Sequence, residues 1–151
     1  MTIRPCARED LPALARLFYD AVTAVEDYSP QQTAAWAGRW QTLPDRAEEF
    51  LSSCTLAAEE DSVIVGYGKL DPGGYLDHLF VRPDHWRRGV ATALCDALEE
   101  QARREGAARI TVHASIPARY FFTQRGYGVI GVNQVPIGDL TLRNYSMAKD
   151  L

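Results

Sequence analysis

The stretch from Val81 to Thr92, VRPDHWRRGVAT, constrains the fold more than any other part of the chain. It follows an apolar run, turns through Pro83 and opens a long helical pattern. The first N–H groups of a helix have no partners within the helix, and the helix dipole places partial positive charge there. With Arg87, Arg88 and Gly89 at this point, the segment predicts a strand, turn and helix unit that can hold a phosphate. A solvated basic turn with a tight bend is the alternative.

Length and composition predict one globular domain over residues 1–151. Of the 151 residues, 46% are hydrophobic, which is enough for a single core. The net charge is −4, so no basic face for nucleic acid is expected. The 3 cysteines lack a C-x-x-C pattern, which indicates neither a disulfide framework nor a metal site and favours the cytoplasm. Residues 1–20 predict neither a signal peptide nor a membrane span, so no membrane partner is expected.

Hydrophobic periodicity predicts a mixed α/β sheet with helices packed on it. The predicted strands are Thr2–Arg4, Thr55–Ala58, Val63–Leu70, Tyr75–Val81, Arg109–His113, Tyr127–Gln134 and Leu140–Ala148. The predicted helices start at Asp10, after Ser29, at Asp45, after the turn at Gly89, and after Ser115. Ser29, Pro30 and Gln32 form a capping box with proline at the first helical position.

Two motifs resemble the GNAT superfamily of acyl-CoA-dependent N-acetyltransferases. The segment from Trp86 to Ala91, WRRGVA, matches the small positions of the family's Q/R-x-x-G-x-G/A motif but has Trp86 in first place. The segment from Ser115 to Tyr127, SIPARYFFTQRGY, matches the family's second block, which ends in G-F/Y. The likeness covers most of the chain. It implies a GNAT-like α/β fold whose central, mostly antiparallel sheet splays at the fourth and fifth strands.

The resemblance implies acetyl-CoA, or coenzyme A, as the cofactor. Dinucleotide and P-loop motifs are absent, since the chain has neither G-x-G-x-x-G nor G-K-[ST]. In the family, backbone amides at the turn bind the pyrophosphate and the splayed strand binds the pantetheine. The implied cofactor-binding residues are Leu79, Phe80, Val81, Arg87, Arg88, Gly89, Val90, Ala91, Thr92, Ser115 and Phe122.

The resemblance also implies direct attack of an amine on the thioester. A base must then remove a proton from an ammonium group with a pKa near about 10. Family members often present that base from the fourth strand, where Tyr75 and Asp77 share one face. We expect Asp77 to be the base; a purely structural ion pair is the alternative. His78 is expected on the opposite face as a packing residue.

The family's usual general acid, a tyrosine, is replaced here by Phe122. Tyr120 and Tyr145 remain candidates. A thiolate with a pKa near about 8.5 can leave without much help, so the enzyme remains possible. The substitution also favours a rival interpretation, an acyl-CoA-binding or sensor module without catalysis. A structural protein that keeps the fold is a further alternative.

Acceptor choice in the family depends on the early helices. The predicted acceptor residues are Glu26, Asp27, Tyr28, Gln32 and Trp36. An acidic and aromatic rim of this kind favours a cationic primary amine on a small molecule or peptide. Alternatively, Trp36 and Trp40 only cover the sheet. The family likeness also predicts a homodimer through the last strands.

Overall fold

The structure, a computed structural model, describes residues 1–151. Seven strands form one sheet in the order β1-β2-β3-β4-β5-β7-β6. The strands are β1 (Thr2–Pro5), β2 (Cys54–Glu60), β3 (Val63–Asp71), β4 (Tyr75–Val81), β5 (Arg109–Ala114), β6 (Gly128–Ile137) and β7 (Leu140–Asp150). The helices are α1 (Leu11–Thr23), α2 (Pro30–Ala37), α3 (Ala47–Ser52), α4 (Val90–Arg104) and α5 (Ile116–Gln124).

The sheet is antiparallel except where β4 meets β5. These two parallel strands pair only at Tyr75 with Thr111 and at Leu76 with Val112. Beyond Leu76 they separate, which opens the sheet at its centre. The predicted mixed sheet with a splay between its fourth and fifth strands is therefore confirmed.

Helices cover both faces of the sheet. On one face, α1 buries Leu14, Phe18 and Val22 with Phe50 of α3 and Tyr67 of β3. On the other face, α4 packs so closely on β3 that the strand needs glycine there. A Cβ on Gly66 would lie 2.7 Å from Val90 Cγ1, and one on Gly68 would lie 2.5 Å from Leu98 Cδ1. This contact fixes the start of α4 beside the splay.

A β-bulge in β4 changes which side chains face α1. Lys69 pairs with His78 and Leu70 pairs with Leu76, so Asp77 is an extra residue without a partner on β3. His78 therefore packs against Phe18 of α1, at 6.2 Å between ring centroids. The expectation that His78 faces away from Asp77 is wrong, because strict alternation does not continue through a bulge.

Several boundaries differ from those predicted. The helix predicted to start at Asp45 is a 3₁₀ turn over Pro44–Arg46 followed by α3, and a further 3₁₀ segment covers Gly38–Thr42. The cysteines are all free. No helix combines the length and the apolar character that crossing a membrane requires.

Candidate active site

A cavity of about 700 Å³ lies along the splay, between β4, the start of α4 and the start of α5. Its floor is formed by β4, and its far wall is formed by the end of α1 and the loop that follows it. The lining includes Val25, Glu26, Asp27, Leu79, Val81, Trp86, Arg87, Gly89, Thr92 and Pro117. We call it the cofactor cavity.

The turn before α4 presents a row of free backbone donors to this cavity. Arg87 and Gly89 have φ angles of +60° and +83°, which turn successive amides toward one side. The first helical bond runs from Ala93 N to Gly89 O. The N–H groups from Arg87 to Thr92 donate no hydrogen bond within the protein. Such a row, at the positive end of a fifteen-residue helix, is suited to bind an anion.

The backbone of β4 supplies further free groups at the splay. Arg82 N–H bonds to Val65 O on β3. Because hydrogen bonds alternate along an antiparallel strand, Phe80 also bonds toward β3, and Leu79 and Val81 point toward the gap beside β5. The carbonyl of Val81 accepts a bond from Trp86 Nε1 at 2.8 Å. The backbone of Leu79 is left for an extended ligand.

A second cavity of about 320 Å³ lies beneath α1 and α2, and we call it the acceptor cavity. Three residues, Trp36, Phe80 and Ser115, line both cavities. The remaining lining includes Phe18, Tyr28, Arg39, Leu43, Arg46, Tyr75, Asp77, His78, His113, Leu142 and Asn144. A group that passes from one cavity to the other must therefore pass this junction.

Capping bonds hold the junction residues in place. Ser29 Oγ accepts from Gln32 N, and Gln32 Nε2 donates to Thr141 O at 2.7 Å, which ties α2 and its Trp36 to β7. Tyr28 Oη donates to Arg143 O at 2.6 Å and accepts from Ile116 N at 3.0 Å. These bonds place the start of α5, and with it Ser115, against the acceptor cavity.

The carboxylate of Asp77 is anchored by one oxygen only. Its Oδ2 accepts from Lys69 Nζ at 2.9 Å and lies 4.0 Å from Arg46 Nη2. Its Oδ1 has no hydrogen-bond partner. Lys69 is fully shielded from solvent and also contacts Asp71 and Glu49. Burial lowers the pKa of Lys69, but its bonds to Asp71 and Asp77 outweigh that effect, and the net shift is upward.

His78 is a neutral member of the cavity wall. Burial lowers its pKa to about 4, although the nearby Asp77 carboxylate opposes the shift. Tyr67 Oη lies 3.0 Å from His78 Nδ1. When Tyr67 donates this bond, the proton of the imidazole is on Nε2, 3.6 Å from Asp77 Oδ2.

Tyr75 and His113 meet across the only paired part of β4 and β5. Tyr75 Oη lies 3.3 Å from His113 Nδ1, and the two rings contact edge to face. Burial raises the pKa of Tyr75, so its hydroxyl stays protonated at neutral pH. The pair closes the acceptor cavity on the β5 side.

A family model described as "Acetyltransferase (GNAT) domain" matches residues 24–148. The chain belongs to the GNAT acetyltransferase family. The uncharacterized N-acetyltransferase YafP from Escherichia coli (strain K12) is 33% identical in an alignment of 145 residues that covers 91% of this chain and 88% of YafP.

Solved GNAT structures share the fold. A GCN5-related N-acetyltransferase from Rhodopseudomonas palustris superposes with a TM-score of 0.95 at 36% identity, covering 99% of this chain and 95% of that one. The PaiA N-acetyltransferase from Thermoplasma acidophilum, solved with coenzyme A, has a TM-score of 0.80 at 18% identity. The match covers 99% of this chain and 98% of that one. The second likeness concerns the fold alone.

In this GNAT protein, most of the predicted cofactor residues line one cavity. Leu79, Phe80, Val81, Arg87, Gly89, Val90, Ala91, Thr92 and Ser115 lie around the cofactor cavity. Arg88 does not line it, although its backbone belongs to the row of free N–H groups. The side chain of Phe122 is buried in the core against Tyr127 and lines neither cavity.

The predicted acceptor residues are divided between the two cavities. Tyr28 and Trp36 line the acceptor cavity, whereas Glu26 and Asp27 line the cofactor cavity. Gln32 lines neither, since its side chain completes the capping box and bonds to β7. An acidic rim is therefore missing from the acceptor cavity.

Sequence reasoning missed four residues around the acceptor cavity. Arg39, Arg46 and His113 line it, and Lys69 anchors Asp77. No tyrosine lines the cofactor cavity. Tyr120 is exposed, and Tyr145 packs beneath the Arg119 guanidinium at 4.8 Å.

Proposed function

We propose that this protein is an N-acetyltransferase that transfers the acetyl group of acetyl-CoA to a primary amine of a small molecule or peptide. One observation carries the proposal: the cofactor cavity and the acceptor cavity meet at Trp36, Phe80 and Ser115. A thioester in the first cavity and an amine in the second would come into contact only there.

The residues around the cofactor cavity fit coenzyme A. The six free N–H groups from Arg87 to Thr92 match the many oxygen acceptors of a diphosphate, and Arg87 adds a charged donor. The free backbone of Leu79 suits the amide groups of pantetheine. When bound, acetyl-CoA supplies a thioester carbonyl that is open to attack by an amine nitrogen.

Asp77 is the residue that we assign to remove the proton of the amine. Its Oδ1 is free in the acceptor cavity, while Lys69 holds Oδ2 and fixes the carboxylate plane. As the C–N bond forms, the amine proton passes to Asp77. Tyr75 closes the same part of the cavity and, with His113, offers a second route for the proton.

Ser115 is the only hydroxyl-bearing residue among the three that line both cavities. Its Oγ accepts from Ala118 N at 3.3 Å, which leaves the hydroxyl hydrogen free to donate. We propose that this hydrogen stabilises the departing thiolate, which takes the electron pair of the bond. The hydroxyl would then supply what a tyrosine supplies elsewhere in the family.

The proposal is tested by titrating the protein with coenzyme A and then screening amines for thiol release from acetyl-CoA. A ligand at 100 times its Kd should raise the free energy of unfolding by about 2.7 kcal/mol. Release of thiol that depends on an added amine supports the enzyme. Absence of stabilisation by coenzyme A would refute the cofactor site.

A sensor module that binds acyl-CoA without catalysis is the second candidate. One observation favours it: no tyrosine lines the cofactor cavity, and the equivalent position holds the buried Phe122. The same screen separates the two functions. Binding of coenzyme A without thiol release for any amine would favour the sensor.

A homodimer through the last strands is also proposed. β6 is an edge strand, and it exposes Ile130 and Val132, each 60% accessible. Unpaired edge strands with apolar side chains commonly pair with another chain. Light scattering should show a dimer for the wild type and a monomer for Val132→Lys. A monomeric wild type would refute this assembly.

A further inference from the structure

The acceptor cavity contains two charged groups of opposite sign that are not fully paired. Asp77 has a free carboxylate oxygen, and Arg39, an exposed residue at the cavity wall, has a side chain with no ion pair and no hydrogen bond. The third charged lining residue, Arg46, differs from both. Glu49 binds its Nε and Nη2 at 2.7 Å and 2.9 Å. Arg46 is therefore a fixed part of the wall, and Arg39 is the unbalanced cation.

The position of Arg39 points to a ligand. It lies on the 3₁₀ segment Gly38–Thr42, directly after α2, whereas Asp77 lies on β4, so the two side chains reach the same cavity from different elements. An arginine guanidinium always carries its charge, and its planar fork suits a carboxylate. Asp77 is the only acidic residue that lines the acceptor cavity, and its ion-pair partners are Lys69 and Arg46, not Arg39.

Aromatic rings line the cavity together with the two charged groups. Trp36 contacts Phe18, Tyr28 and Phe80 edge to face, with centroids 5.9–6.4 Å apart. The volume of about 320 Å³ is at the small end of ligand pockets. The cavity thus offers an anion, a cation and an apolar wall to a small molecule.

We propose that the acceptor is a small amine that also carries a carboxylate, such as a free amino acid with an apolar side chain. This inference rests on the proposed function. The ammonium group lies against Asp77, and the carboxylate lies on Arg39. A polyamine is disfavoured, because its second ammonium would be repelled by Arg39.

Matched probes test the charge requirement. Binding to the coenzyme A-loaded protein is measured by calorimetry for a panel of free amino acids and their amides, with phenylalanine, phenylalaninamide and 2-phenylethylamine as the reference set. The best free acid should bind at least about tenfold more tightly than its amide. Equal binding, or binding of amides and amines only, would overturn the inference.

Arg39→Gln should abolish the preference for the acid, and Arg39→Glu should reverse it. Arg16→Gln is the matched control, because Arg16 is an exposed arginine whose only ion pair is with Asp20. A preference that survives Arg39→Gln would also overturn the inference. Because binding is measured without turnover, this result is independent of thiol release, whose absence would refute only the enzyme.

Discussion

Lys69 and Asp77 form an ion pair of 2.9 Å between adjacent strands, and the lysine side chain is completely buried. The bulge makes this contact possible, because it turns the extra residue of β4 toward the end of the Lys69 side chain. The same lysine contacts Asp71 and Glu49. Replacing it would leave three carboxylates without their shared cation. Asp77 is therefore a positioned group and not a mobile surface carboxylate.

Asp77→Asn should lower kcat by about 10²-fold or more, because the amide keeps the contact geometry but cannot accept the proton. The affinity for coenzyme A should not change. Asp71→Asn is the matched control, since Asp71 also binds Lys69 but lines neither cavity. Steady-state kinetics over a pH series measure both variants. A wild-type kcat and an unchanged pH profile in Asp77→Asn would show that Asp77 is not the base. His113 would then be the candidate for that role, and His113→Gln should have low activity.

Gly89→Glu should greatly weaken the binding of coenzyme A, because it adds negative charge beside the free N–H groups of the turn. Gly106→Glu is the control at the opposite end of α4. The two glycines have φ angles of +83° and +82°, and a Cβ on either would meet nothing within 4 Å. Each variant should lose about 1 kcal/mol of stability. Calorimetry should find a loss of affinity only for Gly89→Glu, and equal affinities would contradict the placement of the phosphates.

Ser115→Ala should lower kcat by roughly tenfold by removing one hydrogen bond to the thiolate. Ser29→Ala serves as the control, because both serines cap a helix with a side-chain oxygen. Each should cost about 1 kcal/mol in the free energy of unfolding. Denaturant titration and kinetics together separate the capping effect from the catalytic one. If both variants lose activity in proportion to stability, Ser115 has no role in catalysis.

The stability of the protein should fall as the pH drops from about 6.5 to 4.5. The unfolded state binds a proton at His78 in this range and the folded state does not, because burial lowers the folded pKa to about 4. The expected loss is about 2 to 3 kcal/mol. Below about pH 4.5, protonation of Glu49 lowers the stability further, since the bond to Arg46 lowers the pKa of Glu49 in the folded state to about 2.

His78→Gln should reduce the fall in stability between about pH 6.5 and 4.5, because glutamine does not titrate and still accepts a hydrogen bond from Tyr67. Urea unfolding at pH 7.0, 5.5 and 4.5 measures the slope. Glu48→Gln, at an exposed position on α3, is the control. An unchanged slope in His78→Gln would mean that other groups cause the loss.

Local sequence signals predict the fold well where they agree with packing. The capping box at Ser29 places the start of α2, and the apolar run Tyr75–Val81 coincides with β4. Gly89 and Gly106 bound α4, both with a positive φ angle. The signals are strong here because a cap or a left-handed turn depends on a few neighbouring residues.

The acceptor cavity was harder to predict, because its residues depend on distant partners. Period-two alternation places His78 on the wrong face, since a bulge has no short sequence signature. The sequence predicts that Gln32 binds the acceptor, yet its side chain accepts from Ser29 N in the capping box and donates to Thr141 O of β7. Arg39 lines the cavity from the 3₁₀ segment that follows α2, which the sequence pattern does not predict. Lys69 is buried because three carboxylates from α3, β3 and β4 converge on it.

The bulge in β4 also determines how the Asp77 carboxylate could be gained or lost. Without Asp77, Lys69 and Leu70 would pair with His78 and Leu76 in unbroken register. Tyr75, His78 and Phe80 would keep the faces that they occupy now. Deletion of the codon for residue 77 would therefore remove the carboxylate, and its insertion would add the carboxylate. In both cases the neighbouring side chains would keep their orientation.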